Sequence, residues 1–323
     1  MRRTVVVVFV VLVTSILLLV AHTPGTHEHL LPGLLEGLRP LSLAPSSTAG
    51  RKATVKGNDV KGVLQLMGWR VSYLKPEKNL EIVDESGNML LRYLFKKGLA
   101  GSKSGASIRA NPRGIFPSTQ VGMSFRVRFP SNFPFQDGGK LLGVSFADRP
   151  GNHASGGEWK ANGGSVRFMW RKHPTNNALY VLTAYVYHAV RKQSGTGWPQ
   201  SAYNKQGPGT KAVMEVAADD AGNSVWWRRG GGGIVLERNV WYEIGLAVKL
   251  NTPGQADGLL YIRCINKSTG AVTERAVGDI YYRDESNVVL QELLLVAFFG
   301  GKSPARYAPP RDTYADFGNF EFK

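Results

Sequence analysis

The chain has 323 residues, 43% of them hydrophobic, with a formal net charge of +16 and a sequence pI near 9.9. That apolar share supports a packed core and excludes an intrinsically disordered chain, and the charge favours a polyanionic partner: nucleic acid, acidic lipid or acidic polysaccharide. The single Cys264 excludes an intrachain disulfide, and its alternation with Leu260 and Ile262 places it among buried residues rather than reactive thiols.

Met1-Arg2-Arg3-Thr4 precedes an apolar run from Val5 to Ala21, broken only by Thr14 and Ser15. A bilayer-spanning helix needs about 20 apolar residues, with about 17 the lower limit. Leu19-Val20-Ala21 matches a signal-peptide cleavage site poorly, so residues 1–21 are read as a signal anchor, with a cleaved signal peptide as the alternative. Either way Arg2 and Arg3 favour the cytoplasmic side, which puts the remainder outside the cytoplasm, secreted or anchored by one membrane pass. Residues 22–62 read as a stem punctuated by Pro24, Pro32, Pro40 and Pro45 and their neighbouring glycines and serines. His22, His27 and His29 lack completing ligands at metal-binding spacing and read as linker residues.

From residue 63 to 323 the pattern is one of short alternating runs, expected to form a single β domain. The expected strands are 64–74, 79–83, 89–95, 122–129, 140–146, 165–170, 179–187, 212–216, 241–250, 259–266, 271–277, 288–299 and 315–322. Many short strands separated by Gly, Pro, Asn and Asp imply an all-β, two-sheet antiparallel sandwich or jelly roll. Residues two apart on a strand share a face. In 165–171, Ser165, Arg167, Met169 and Arg171 face one way and Val166, Phe168 and Trp170 the other. In 179–187, Thr183, Tyr185 and Tyr187 share a face against Leu182, Ala184 and Val186. The apolar sets are the expected core, and the polar sets the expected exposed, functional surface.

Two glycine-rich segments are not phosphate loops. Val296 stands where a phosphate loop ending at Gly301-Lys302-Ser303 needs its first glycine, and no Lys-Ser/Thr follows Gly230–Gly233. A glycoside hydrolase needs two facing carboxylates about 5–10 Å apart. The central runs offer none, and Asp148 and Glu158 fall in expected loops. Nucleic-acid binding explains the charge but has no motif here.

Ahead of the central hairpin lies Phe133-Pro-Phe-Gln-Asp-Gly-Gly-Lys140-Leu-Leu-Gly143. Taken with Gly163-Gly-Ser-Val-Arg167 as a glycine-led strand, Ala184-Tyr-Val-Tyr187, Leu250-Asn-Thr-Pro-Gly254, Phe298-Phe-Gly-Gly301 and the final run Asp312–Phe322, it resembles polysaccharide lyase family 14 over roughly residues 90–323. The resemblance implies a concanavalin-like β-jelly roll whose concave sheet holds a uronate chain such as alginate or glucuronan. It places the family's catalytic lysine on Lys140, its strand Ser and Arg on Ser165 and Arg167, and its paired tyrosines on Tyr185 and Tyr187. Leu142 departs from the family, which commonly has proline there.

β-Elimination on a uronate removes the C5 proton and expels the C4 oxygen. The neighbouring carboxylate must be neutralised first, which suits a guanidinium. On this reading Arg167 neutralises the carboxylate, and Lys140 and Tyr187 transfer protons while Tyr185 binds or shares that role. Ser165, Arg171 and Lys302 bind substrate. His153, His173 and His188 are further proton-transfer candidates, with His153 in a loop that covers the groove and His188 structural. No metal, cofactor or nucleic acid is required, the protein is expected to be a monomer, and a membrane contact runs through residues 1–21. The competing expectation is a non-catalytic, lectin-like attachment module on the same fold.

Overall fold

The computed structural model describes residues 39–41, 59–154, 160, 162–173, 176–187, 213–216, 234–255, 257–300 and 304–323. The segment read as a signal anchor and most of the stretch read as a stem lie outside the described residues. Among the described residues no helix is long and apolar enough to cross a membrane.

After the three described residues 39–41 comes a short helix, α1 (Val60–Leu66), where a strand from 64 was expected. Two local features favour the helix. The Asp59 carboxylate accepts the Gly62 N–H at 2.7 Å, capping the N-terminus, and Val60, Val63 and Leu64 recur at helical spacing and are buried. Gly68, at φ +81°, then reverses the chain into a strand.

Two antiparallel sheets follow. One contains β1 (Arg39–Leu41), β3 (Leu80–Glu85), β4 (Asn88–Phe95), β6 (Gln120–Arg128), β11 (Trp241–Lys249), β12 (Gly258–Asn266), β13 (Val272–Ile280) and β15 (Thr313–Phe322). Its order is β13-β12-β11-β6-β15-β4-β3, with β1 paired to β15. The other contains β2 (Trp69–Lys75), β5 (Ala106–Pro112), β7 (Gly138–Ala147), β8 (Gly163–Lys172), β9 (Tyr180–Tyr187), β10 (Val213–Val216) and β14 (Val289–Phe299), ordered β10-β9-β8-β7-β14-β5-β2.

The expected core sets are the core. Val166, Phe168, Trp170, Leu182, Ala184 and Val186 are buried in the same cluster as Phe125, Val127 and Phe317 of the opposite sheet. Phe125 and Phe168 meet edge to face across the sandwich at 6.1 Å. The Tyr93 hydroxyl, fully buried, donates to the Leu295 carbonyl at 2.7 Å and so ties one sheet to the other. Strand β5 was not expected. Its sequence Ala-Ser-Ile-Arg-Ala-Asn-Pro alternates strictly between buried and half-buried, but most of its buried members are too small to give a visible apolar signal.

Candidate active site

Directly paired residues of antiparallel strands project on the same face. Register therefore shows what the second sheet gathers there. Tyr187 pairs with Ser165, and Ser165 with Ser145. Tyr185 pairs with Arg167, and Arg167 with Gly143. Thr183 pairs with Met169, and Met169 with Lys140. Beyond β7, Glu292, Leu294 and Phe298 of β14 stand opposite Ser145, Gly143 and Lys140. The two polar sets read from the hairpin thus share one face, and Lys140 joins them from the neighbouring strand.

Lys140 is held there by its two preceding glycines. Gly138 has φ +147°, and a methyl on it would lie 2.6 Å from the Trp170 carbonyl oxygen. A methyl on Gly139 would lie 2.0 Å from the Trp170 indole. The backbone therefore lies flat on the ring, which only glycine allows. Trp170 is fixed in turn by its indole N–H, which donates to the Phe135 carbonyl at 2.8 Å, and by contacts with Phe133 and Phe299. Phe135 itself adopts a left-handed backbone, φ 31°, while its ring is buried and stacks on Tyr180 at 4.7 Å. After Lys140 the register slips, so that Leu141 and Leu142 together oppose the stretch between Met169 and Arg167. Both leucines are fully buried in the core. A β-bulge thus stands at Leu141-Leu142, between Lys140 and Gly143.

The Lys140 ammonium lies 4.5 Å from the Tyr185 ring centre and 5.2 Å from that of Tyr187, and the two rings meet edge to face at 5.2 Å. Arg167 is 2% exposed, and its Nε donates to Ser165 Oγ at 3.3 Å. Burial lowers its pKa to about 10, while the neighbouring Tyr187 and Tyr185 oxygens hold it up, so it stays a cation at neutral pH.

The functional face is not the exposed surface that alternation implied. Ser165, Arg167, Met169, Thr183 and Tyr187 are all buried, Lys140 nearly so, and Tyr185 and Arg171 half-buried. A loop after β7 lies against part of this face. The Ala154 carbonyl accepts the Ser165 hydroxyl at 3.3 Å, and Ala154 packs on Tyr187 and Tyr185. The loop is pinned by the Asn152 side-chain amide donating to Asp148 at 2.7 Å, by Lys160 donating to Asn152 at 3.2 Å, and by the Gly151 N–H donating to Glu292 at 2.9 Å.

His153 rides on this loop. Burial, then the cations Arg167, Arg109, Lys160 and Lys140, push its pKa down to about 3, which makes it a neutral imidazole at working pH. The sequence placed it in a covering loop, and only the fold shows that it is surrounded by four cations. Glu292 was missed altogether. It is a carboxylate on the functional face, 2% exposed, engaged by the Ser72 hydroxyl at 2.5 Å and by Gly151. Its signal was hidden because β14 reads as a continuous apolar strand with one acidic residue.

Arg171 continues the same face of β8 toward the strand end. His173 lies in the β8–β9 turn, where its Nδ1 accepts the Asn176 N–H at 3.0 Å. Cys264 is buried, and burial pushes its thiol far up. Lys302, His188 and Glu158 lie outside the described residues. Among the described residues no three His, Cys, Asp or Glu side chains converge as a metal site.

Chemically, the face presents an ammonium, a guanidinium, two phenols, a hydroxyl and a neutral imidazole. That set can neutralise a carboxylate and donate a proton, and it can accept one where a phenol or the lysine is deprotonated.

Known proteins carry the same architecture. The marine PL-14 alginate lyase from Aplysia kurodai superposes with a TM-score of 0.64 at 23% identity, covering 82% of this chain and 94% of that one. The alginate lyase from a Chlorella virus superposes with a TM-score of 0.58 at 20% identity, covering 83% and 98%. In sequence, the chain is 27% identical over 207 residues to Exolysin of Paramecium bursaria Chlorella virus 1, a match to 61% of this chain and 28% of that protein. The match thus spans little more than a quarter of that relative's length. The profile of the Polysaccharide lyase 14 family matches residues 84–320, which hold Lys140, Arg167, Tyr185 and Tyr187. The chain belongs to polysaccharide lyase family 14.

Proposed function

We propose that the protein is a lyase that cleaves a uronate polysaccharide by β-elimination. The observation that carries this reading is the placement of the Lys140 ammonium over the Tyr185 and Tyr187 rings, on the strand face that also holds Arg167. Arg167 supplies the positive charge facing the carboxylate, so that the enolate-like charge formed at C5–C6 is stabilised. Lys140 and Tyr187 are the proton-transfer pair. One of them, as neutral amine or phenolate, removes the C5 proton, the C4–O bond breaks, a C4–C5 double bond forms, and the other, in its protonated form, protonates the departing oxygen. Tyr185 shares binding or proton transfer, Ser165 hydrogen-bonds the saccharide or its carboxylate, and Arg171 and Lys302 hold the chain further out. Neutral His153 adds a hydrogen-bonding group beside them, its low pKa making it a poor base. The scheme needs no metal, because Arg167 does the electrostatic work.

Alginate is the polymer named for the Aplysia and Chlorella virus proteins, and it heads the substrate panel here. The basic chain suits a substrate of that charge outside the cytoplasm, with residues 1–21 as a hydrophobic anchor helix or a signal peptide. The test is incubation with alginate, glucuronan and related uronans, read by the ultraviolet absorbance of the new double bond. Absorbance should rise, should persist in a chelator, and should fall by about 10²-fold or more in Lys140→Ala and Tyr187→Phe. A folded protein that binds these polymers and releases no unsaturated end is a lectin and not a lyase. Reducing ends without unsaturation would mean hydrolysis.

A further inference from the structure

The functional face does not end at Lys140. One register row runs across the sheet from Tyr185 to Arg167, Gly143, Leu294, Arg109 and Tyr73, each directly paired with the next. The row begins with a phenol beside a guanidinium and ends with a guanidinium beside a phenol. From the strand of Arg167 to that of Arg109 is three strand spacings, about 14 Å at about 4.8 Å each. That is the scale of a few saccharide units of an extended polymer.

The far end is built and not incidental. The Arg109 guanidinium lies over the Tyr73 ring, 4.4 Å from its centre. Both residues are half-buried, so each keeps a solvent-facing surface. Among the described residues Arg109 has no ion-pair partner. Glu292 fixes both flanks of this pair. One oxygen takes the hydroxyl of Ser72, next to Tyr73, and the other takes the Gly151 N–H. Gly151 has φ +79°, and a methyl there would lie 2.6 Å from Arg109 Nη1, so glycine is what lets the loop close on the guanidinium. Glu292 thus holds Ser72 and the Gly151 loop in place on either side of the Arg109 guanidinium, and among the described residues it forms no ion pair with it.

We propose that Arg109 and Tyr73 form a second uronate-binding station, which holds a sugar some units along the polymer from the one at Lys140. The guanidinium takes a carboxylate with two parallel hydrogen bonds, and the tyrosine ring takes the apolar face of the sugar. This rests on the reading of the Lys140 centre as a polyuronate lyase site. Tyr73 lies ahead of residues 84–320, so the station is completed by a strand outside the span that the family profile matches.

The test is the dependence of kcat/KM on substrate length, using size-fractionated alginate or glucuronan oligosaccharides. For the wild type kcat/KM should climb with length until both stations are filled. Arg109→Gln and Tyr73→Ser should flatten that climb, with a loss on long chains of about tenfold, carried in KM, against about twofold or less on the shortest cleavable chain. An equal loss at every length would make Arg109 a support for the His153 loop and overturn the proposal. So would a wild type whose kcat/KM does not rise with length, a result that needs no variant to fold. A wild type that yields no unsaturated product overturns the lyase reading first. Binding of long and short oligosaccharides to Lys140→Ala, with and without Arg109→Gln, then decides the station separately, and an unchanged ratio of affinities sinks it.

Discussion

At the scale of single residues, His153 shows how environment overrides the ordinary behaviour of a side chain. A solvated histidine titrates near 6.5. Here burial and four cations bring the value to about 3. The folded state therefore binds its proton less readily than the unfolded state does. The stability associated with neutral His153 is complete above pH 6.5 and is lost as pH falls from there toward 3, at up to about 1.4 kcal/mol per pH unit. The melting temperature should accordingly drop as pH is lowered through this window, and His153→Gln should make the drop shallower. A variant with the same slope as wild type would place the histidine outside the cationic cluster. The same residue marks the limit of what the chain reveals before folding. Alternation was enough to put Arg167 with Ser165 and Tyr185 with Tyr187, because it is a local property of a strand. The approach of His153 to Arg109 depends on a loop returning across the sheet, and no local pattern carries that.

At the scale of elements, the start of β7 decides where the ammonium sits. The sequence showed two glycines before Lys140 but not what they avoid, which is the indole of Trp170 from the adjacent strand. Gly139→Ala would drive a methyl into that ring or lift the strand away from it. The expected outcome is a destabilisation of about 1–3 kcal/mol, typical of an overpacked site, together with a loss of activity larger than the stability change explains, since Lys140 is the next residue. Thermal unfolding and turnover measured on the same sample would check this, and full activity would show that the strand start tolerates displacement. Strand β5 is the complementary case. Its buried residues Ala106, Ile108 and Ala110 carry little apolar signal, so its strand character emerges only from pairing with β14 and β2. Helix α1 shows the reverse error, since Val60, Val63 and Leu64 read equally well as a strand approach until Asp59 is recognised as a cap. The Leu250-Asn-Thr-Pro-Gly254 segment, read as part of the family's pattern, is structural. The fully buried Asn251 side chain accepts the N–H groups of Tyr282 and Arg283 and donates to the carbonyls of Thr252, Gln255 and Arg283.

At the scale of the whole molecule, the two sheets treat their charges differently. On the first sheet Arg92, Arg126 and Arg128 are neutralised in place. Asp316, fully buried, takes Arg92 at 2.7 Å and Arg128 at 3.1 Å, Arg128 also reaches Glu85 at 2.6 Å, and Glu243 takes Arg126 and Lys267 at 3.4 Å. On the second sheet Lys140, Arg167, Arg109 and Lys160 crowd around one imidazole. The two kinds of cation should respond to different perturbations. Asp316→Asn leaves two arginines facing a neutral amide. It should cost about 3 kcal/mol of stability, at the low end for a broken buried pair because both arginines keep a solvent-exposed fraction. It should leave the salt dependence of catalysis alone. Raising ionic strength from about 0.05 M to about 0.5 M should instead lower kcat/KM on a uronan severalfold through KM, as the attraction between groove and polymer is screened. If Asp316→Asn shifted the salt response as strongly as it lowered the melting temperature, the two sheets would share one electrostatic field. The separation of the Asp316 ion-pair network from the cations around His153 would then be wrong.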